Sequence, residues 1–497
     1  MSVSGAPKSE AYPSPLKAWL TSIVLFGALA LAFMDRQVIN LLVDPIKADF
    51  HLTDVQMSYL TGIAFAGLFS VAIMPSGWLA DRLNRRNLVL GAAILWSVAT
   101  IFCGLTGGFW QFFAARSAVG LCEAVISPAA IPMIADMFPP ARRAAAVSLY
   151  NVGSGVGVSF SLIFGGLILG IVKAQNLSSL PIVGAVHPWQ IVYVILGIGG
   201  GVVICGALLA IREPKRNAGI SEAAEPSEIV RFVLLSLFLS GAVVSGLLHV
   251  WWLIVILVPL GLYVASTLFS GRNRSEAFAF IAEHRAVFIP HFLGLALAGI
   301  CVFAMLSWLP AHIGRTFGWA PSDIGWRYGL MFFLGPLGAV GAGFLAERII
   351  QRGRIDGTLI VTAIGIAGFA IFGVIATLTT SIAIAIPAVV LMLIFISVPY
   401  GPGVAVLTQV APPKIRARVL SVYLFVFNTS SLIFGPLVPA LFTDYVYHSP
   451  KLVGYSIATT LAILEPIAFI LIILAMKPFR PVATEVSRIE TAKHAAL

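Results

Sequence analysis

Long apolar stretches recur along nearly the whole chain, separated by short polar clusters rich in Gly, Pro and Arg. Each stretch is long enough to cross roughly 30 Å of hydrocarbon as an α-helix. The pattern predicts spans at about 17–41, 55–80, 87–106, 110–137, 144–170 and 189–211, then a pair at 229–247 and 250–270. Six more follow at about 286–311, 322–346, 357–378, 382–409, 418–442 and 453–476. These fourteen segments describe an all-α polytopic membrane protein. A transmembrane β-barrel would show segments of roughly ten residues that alternate in polarity, and the sequence has none. The first run is too long for a cleavable signal peptide and lacks a small-residue exit, so it counts as a span.

Composition agrees. Of 497 residues 59% are hydrophobic and 10% charged, with a mean hydropathy of +0.98, whereas soluble domains carry about 25% charged residues. The net charge of +10 is an orientation signal rather than the footprint of a nucleic-acid partner. With the N-terminus inside, 24 of the 31 Lys and Arg residues fall on the inner side. Five fall outside (Lys47, Lys173, Arg315, Arg327 and Lys451), and Arg36 and Arg116 lie within spans. By the positive-inside rule both termini are expected in the cytoplasm. The four cysteines (Cys103, Cys122, Cys205, Cys301) all fall in expected spans, which disfavours disulfides or a metal site.

Comparing the two ends of the chain exposes a repeat. GWLADRLNRR at 77–86 recurs as GFLAERIIQR at 343–352, and PPARRAAAVSLY at 139–150 as PPKIRARVLSVY at 412–423. Both copies lie on the same side of the membrane, so the repeats are parallel. Two six-helix halves related by an axis along the membrane normal are a transporter architecture. The expected organisation is a cytoplasmic tail (1–16), a first half (17–216), a cytoplasmic linker (217–285) carrying the extra hairpin 229–270, a second half (286–478) and a cytoplasmic tail (479–497), of which SRIETAKHAAL at 487–497 reads as short and solvated.

These motifs give the chain a resemblance to the major facilitator superfamily over essentially its full length apart from the central hairpin. GWLADRLNRR resembles that superfamily's signature Gly-x-Leu-Ala-Asp-Arg-x-x-Arg-Arg, and RSAVGLCEA at 116–124 resembles its fourth-helix motif, with Cys122 in place of the usual Gly. Asp-Arg late in the first span, with PAAIPMIADMFPPARR at 128–143, is most similar to the Spinster-like branch. Proteins of that branch are associated with export of sphingosine 1-phosphate and lysophospholipids. The anion:cation symporter branch shares part of the pattern. The resemblance implies an inner gate built on Gly77, Asp81, Arg82 and Arg85 with Asp136 at the inner end of the fourth span. In it Asp81 would cap a second-half helix, Arg85 would pair with Asp136, and Gly77 would let two helices approach closely. The second-half copy lacks the tandem Arg, so its gating role is weaker.

Only five ionisable acids and bases lie well inside spans: Asp35, Arg36, Arg116, Glu123 and Glu465. Arg116, Gly120 and Glu123 are spaced i, i+4, i+7 and share one helix face. At 1.5 Å per residue they sit about 9 Å and about 20 Å from the outer end of their helix. The helices carrying Asp35–Arg36 and Arg116–Glu123 line the central cavity in the superfamily. The four charges are therefore expected to form one network of zero formal charge, with Glu123 and Asp35 as proton carriers. They also fit a purely structural ion cluster, although ionisable groups at this depth mark ion or substrate paths by default. Glu465, beside Pro466 on a peripheral helix, reads as locally paired. Trp308, Tyr400, Tyr423 and Asn428 lie at cavity depth in the second half and suggest an aromatic wall opposite the polar one. Gly153 and Gly157 are spaced for helix packing; a phosphate loop is excluded because no strand precedes them and no Lys follows.

The expectation is a secondary active transporter working by alternating access, proton-coupled, for an amphipathic lipid-like molecule or organic anion. A sugar-acid or aromatic-acid symporter is the alternative, and a transporter-like membrane sensor the alternative from another class. Enzymatic function is not expected, because the sequence has no nucleophile–base pair or metal cluster with suitable spacing. No cofactor and no nucleic-acid partner are expected; the partners are substrate, protons and membrane lipids. The chain is expected to be monomeric, in the plasma (bacterial inner) membrane.

Overall fold

A computed structural model describes residues 12–175, 179–180, 184–214, 230–231, 234, 237–238, 241, 245, 255–263, 276–412 and 415–495. Twelve helical spans among these residues are long and apolar enough to cross a membrane. They are span 1 (Pro15–Val38), span 2 (Asp54–Ile73), span 3 (Arg85–Cys103), span 4 (Phe109–Met137), span 5 (Ala145–Ala174) and span 6 (Pro188–Ala210). The second half holds span 7 (Arg285–Phe317), span 8 (Pro321–Gln351), span 9 (Gly357–Leu378), span 10 (Ile382–Val410), span 11 (Arg418–Val446) and span 12 (Pro450–Val486). The hairpin expected at 229–270 lies for the most part outside the described residues. In the loop before span 6, Ser179–Leu180 and Gly184–Ala185 form a short antiparallel pair.

The repeat is visible in where helices break. Span 2 is interrupted at Gly62 between Asp54–Thr61 and Ile63–Arg82, and its counterpart, span 8, between Pro321–Phe332 and Gly335–Gln351. Span 4 breaks between Phe109–Glu123 and Ile126–Met137, and span 10 between Ile382–Ser397 and Tyr400–Val410. Such breaks are tolerated at membrane depth where neighbouring protein re-satisfies the backbone.

Within the first half, span 5 lies directly on span 1. A Cβ on Gly153 would stand 2.7 Å from the Phe26 carbonyl oxygen, and one on Gly157 would stand 2.3 Å from that of Ala30. The packing expected of these glycines is what they do. The halves themselves meet along their outer parts. Cβ atoms on Gly62, Gly166, Gly325 and Gly329 would each lie between 2.3 and 3.0 Å from backbone of the opposite half. Along the inner parts (those on the side of the basic loops) the halves separate: Gly335–Gln351 and Tyr400–Val410 pack chiefly on helices of their own half, and Cβ positions at Gly77, Gly155, Gly341 and Gly401 meet nothing within 4 Å among the described residues. The cleft between the halves thus opens on the basic face.

The open space at Gly77 corrects the expectation that it permits a close helix contact. In an arrangement open on the basic face, the helices it was expected to bring together stand apart. The expected C-terminal tail is helical: residues 479–495 continue the helix Val453–Ala495. Phe479 and Ala483 are buried in one cluster with Ala277, Phe278 and Ile281 of the inner helix Glu276–Glu283. Nearby, Arg354 (3.1 Å) and Arg480 (2.9 Å) donate to the buried Asp356 carboxylate at the foot of span 9.

Two predictions follow from this packing. Gly157→Ala forces a Cβ against the Ala30 carbonyl and is expected to cost about 1–3 kcal/mol, seen as a lower thermal unfolding temperature in detergent. Gly155→Ala meets open space and is expected to leave it unchanged. Burial would raise the Asp356 carboxyl, but the hydrogen bonds from Arg354 and Arg480 outweigh it and hold it at about 2. A depressed carboxylate stabilises above its unfolded value of about 3.9 and loses that contribution as pH falls through the folded one. Asp356→Asn is therefore expected to be less stable at pH 7 by about 1–2 kcal/mol, with the gap closing as pH falls from about 4 toward about 2.

Candidate functional site

Span 1 ends one turn after Asp35 and Arg36, and a helix's last turn leaves its carbonyls without intrahelical partners. Arg116 of span 4 supplies donors there, to the Asp35 carbonyl at 3.3 Å and to that of Arg36 at 3.4 Å. A cation at a helix C-terminus also meets the negative end of its dipole. The Arg116 side chain has no exposed surface and stands 3.9 Å from the Asp35 carboxylate. Asp35 is fixed in turn by span 3, accepting hydrogen bonds from Trp96 Nε1 (2.7 Å) and the Thr100 hydroxyl.

The second pair is built differently. Arg36 donates to Glu123 at 2.9 Å, and its guanidinium lies 4.6, 4.4 and 4.9 Å from the ring centres of Phe33, Phe65 and Phe69. Aromatic faces attract a guanidinium and shed no charge of their own. The Arg36 side chain keeps 12% of its surface exposed while that of Glu123 has none. One Glu123 oxygen takes the Arg36 bond and the other, Oε1, has no hydrogen-bond partner among the described residues. Gly120 lets span 4 sit this close to span 2: a Cβ there would stand 2.3 Å from the Phe65 carbonyl oxygen. Ser117 ties the same two spans by donating to the Ala64 carbonyl at 2.7 Å.

The structure thus brings Asp35, Arg36, Arg116 and Glu123 into one cluster, as two acid–base pairs on spans 1 and 4. Glu465 lies apart, buried on span 12, and the local pairing expected of it is not seen: neither carboxylate oxygen has a hydrogen-bond partner within the geometric limits among the described residues. At the inner face, Arg85 pairs with Asp136 at 2.7 Å, lies 4.0 Å from Asp81 and donates to the Ala80 carbonyl. Arg82 stands outside that pairing and stacks on Trp78, 4.1 Å from its ring centre.

The aromatic wall is corrected. Trp308 is 1% exposed and donates its indole N–H to the Pro436 carbonyl at 2.8 Å, stapling span 7 to span 11. Tyr423, also 1% exposed, packs among His291, Phe292 and Phe427. Both are core residues: the Trp308 indole is bonded to a neighbouring helix and the Tyr423 ring is packed among aromatic rings, including those of span 7, rather than facing the cleft. Tyr400 is half-buried against Phe427. Asn428 is half-buried, with its amide donating to the Leu424 carbonyl of its own helix. Sequence reasoning missed Trp96, Thr100, Phe65 and Phe69. Trp96 and Thr100 carry a signal in retrospect: they stand four apart, on one face of an otherwise apolar helix.

Twelve spans, two repeated halves and a cleft between them that opens on one face are the build of a membrane carrier. The chain belongs to the Major Facilitator Superfamily, whose sequence profile matches residues 25–281 and 291–496. It is an integral membrane protein of the plasma membrane, the inner membrane in a bacterium. An MFS-type efflux pump of Mycolicibacterium smegmatis is 24% identical over 439 residues, covering 86% of this chain and 85% of that protein. The D-galactonate transporter of Escherichia coli O6:H1 is 29% identical over 208 residues, 42% of this chain and 44% of that one. Among solved structures, a bacterial homologue of the human lysosomal transporter Spinster, inward-facing and unoccupied, superimposes with a TM-score of 0.71 at 22% identity. It covers 96% of this chain and 98% of its own. The occupied inward-facing form of that homologue gives 0.66.

Neutralising Asp35 leaves Arg116 buried against an uncharged partner, an error that costs about 3–5 kcal/mol. Asp35→Asn is expected to lower the unfolding temperature sharply. Asp35→Asn combined with Arg116→Gln is expected to lose much less than the sum of the two single changes. Additive losses in that cycle would mean the two side chains do not act as a pair.

Proposed function

We propose that the protein is a proton-coupled secondary transporter, working by alternating access, for an organic anion with an apolar body. The observation that carries this reading is the asymmetry of the two ion pairs. Arg116 and Asp35 are braced from spans 1, 3 and 4, whereas Arg36 sits at the partly exposed edge of the cluster, bonded to one Glu123 oxygen and caged by three phenylalanines. A substrate carboxylate or phosphate that reaches Arg36 competes with Glu123 for the guanidinium. Glu123, released, is then a buried carboxylate without its counter-charge, which burial disfavours strongly. Taking up a proton relieves that cost, so one anion on Arg36 and one proton on Glu123 keep the cluster neutral. The three rings beside Arg36 suit an apolar substrate body.

The inner pairing of Arg85 with Asp136, near Asp81, supports the superfamily's inner gate at these residues. A polar substrate is the second reading, supported by the sugar-acid carriers among the relatives: the galactonate transporter and the probable galactarate/D-glucarate transporter of Bacillus subtilis, 22% identical over 352 residues. The lysolipid reading draws on the likeness to the Spinster homologue.

Reconstituted protein tests both parts. A panel of lysophospholipids, aromatic acids and sugar acids, with and without an imposed pH gradient, is expected to show uptake that the gradient drives. Glu123→Gln is expected to abolish the response to the gradient, and Arg36→Ala to lower transport at least about tenfold through loss of the anion's charge partner. Full pH-driven transport by Glu123→Gln would remove Glu123 from the coupling.

A further inference from the structure

The outer closure of the cleft has its own charged cluster, none of it among the motifs singled out from sequence. Arg315, near the outer end of span 7, has a side chain only 9% exposed. Its Nε and Nη2 donate to Asp44 Oδ1 at 3.0 and 2.6 Å. Its Nη1 and Nη2 reach the two Asp54 oxygens at 3.1 Å each, and Nη1 also bonds the Pro450 carbonyl at 2.9 Å. A guanidinium has five N–H donors, and these five bonds account for all of them. Asp44 and Asp54 belong to the first half; Arg315 and Pro450 belong to the second.

The grip is reciprocal. Asp444, at the outer end of span 11, accepts from the backbone N–H groups of Asp54 (3.3 Å) and Val55 (2.7 Å). Those are the first N–H groups of span 2, where orphan donors and the helix dipole favour an anion. Asp54 is held three ways: its carboxylate takes Arg315 and Lys47, and its backbone takes Asp444. Its side chain has no exposed surface.

We propose that Arg315, clamped on Asp44 and Asp54 and seconded by Asp444, is the outer gate that holds this carrier closed on its far side. It is a positioning residue, which acts on the balance of conformations and touches no substrate. The proposal rests on the alternating-access reading. Parting the halves on the outer side requires the four Arg315 bonds to Asp44 and Asp54 and both Asp444 bonds to be exchanged for water. Ion pairs in water are worth little, so the open form gains back only part of what the clamp supplies, chiefly at Asp54, whose side chain has no exposed surface, and less at Asp44, whose side chain keeps 46%. The position of Arg315 among the few outer cations is explained in the same way: it is paired for a purpose other than orientation.

The test reads the gate directly, without substrate or protons. Ser58 is buried on the face of span 2 that carries Gly62 and packs against span 11. In cells expressing Ser58→Cys, a membrane-impermeant maleimide added outside should label this position slowly. The protein without Ser58→Cys corrects for its native cysteines. Adding Arg315→Ala is expected to raise the labelling rate at least about tenfold, and Arg315→Lys, which keeps the charge but loses the fork, by less. A rate within about twofold of the parent in folded Arg315→Ala protein would overturn the proposal. If Arg315→Ala does not fold, Asp444→Asn with Asp44→Asn meets the same criterion. Faster labelling in a protein whose transport ignores pH would sustain the gate while refuting the proton coupling, so the two readings fail separately.

Discussion

The first half is organised around the cost of burying Arg116. A guanidinium without exposed surface is tolerated only where counter-charge and acceptors are already in place, and three helices provide them. Span 1 offers two carbonyls of its last turn and the Asp35 carboxylate, and span 3 pins that carboxylate with Trp96 and Thr100. Span 4 carries Arg116 itself and, two turns on, Glu123. Spans 1, 3 and 4 are locked together by this one requirement. Arg36, adjacent to Asp35 on the chain, is thereby placed at the edge of the cluster.

That lock separates two tasks which the four charges would otherwise share. The Asp35–Arg116 pair holds helices; the Arg36–Glu123 pair has one bond between its members and keeps its guanidinium at the partly exposed edge, while Asp35 Oδ1 and Glu123 Oε1 both have no hydrogen-bond partner among the described residues. An anion can displace the second pair without unravelling the first. The helix break immediately after Glu123 matters here too, since the inner segment Ile126–Met137 begins where the charge network ends. The half that carries the site is fastened to the other at its outer edge by side chains and by close glycine contacts, and parted from it on the basic face. The cleft beneath the site therefore opens toward the basic loops.

Much of this was legible in the sequence. The positions of all twelve spans follow from apolar length alone, and the repeat follows from two motif pairs. The i, i+4, i+7 spacing of Arg116, Gly120 and Glu123 put charge and close contact on one face, which is where the structure has them. The rest turns on partners that lie on other helices. Periodicity tells which face a residue occupies but not which neighbour faces it, so Trp308 and Tyr423 were expected at the cleft and are core. Gly77 was expected at a contact and stands in open space, because which contacts exist depends on which side of the carrier is closed. Span 12 runs on past its expected end, through Pro478 and Pro481, and Phe479 and Ala483 are buried there in the inner apolar cluster of the second half. Arg315 was visible only as an exception to the charge rule.

The central claim is that an anion on Arg36 is matched by a proton on Glu123. Calorimetric titration of the purified protein with the anion that the transport panel identifies, in two buffers of different ionisation heat, counts that proton directly. The account predicts binding heats that differ between the buffers by an amount equivalent to uptake of about one proton per anion bound. Identical heats in both buffers, with binding intact, would contradict it.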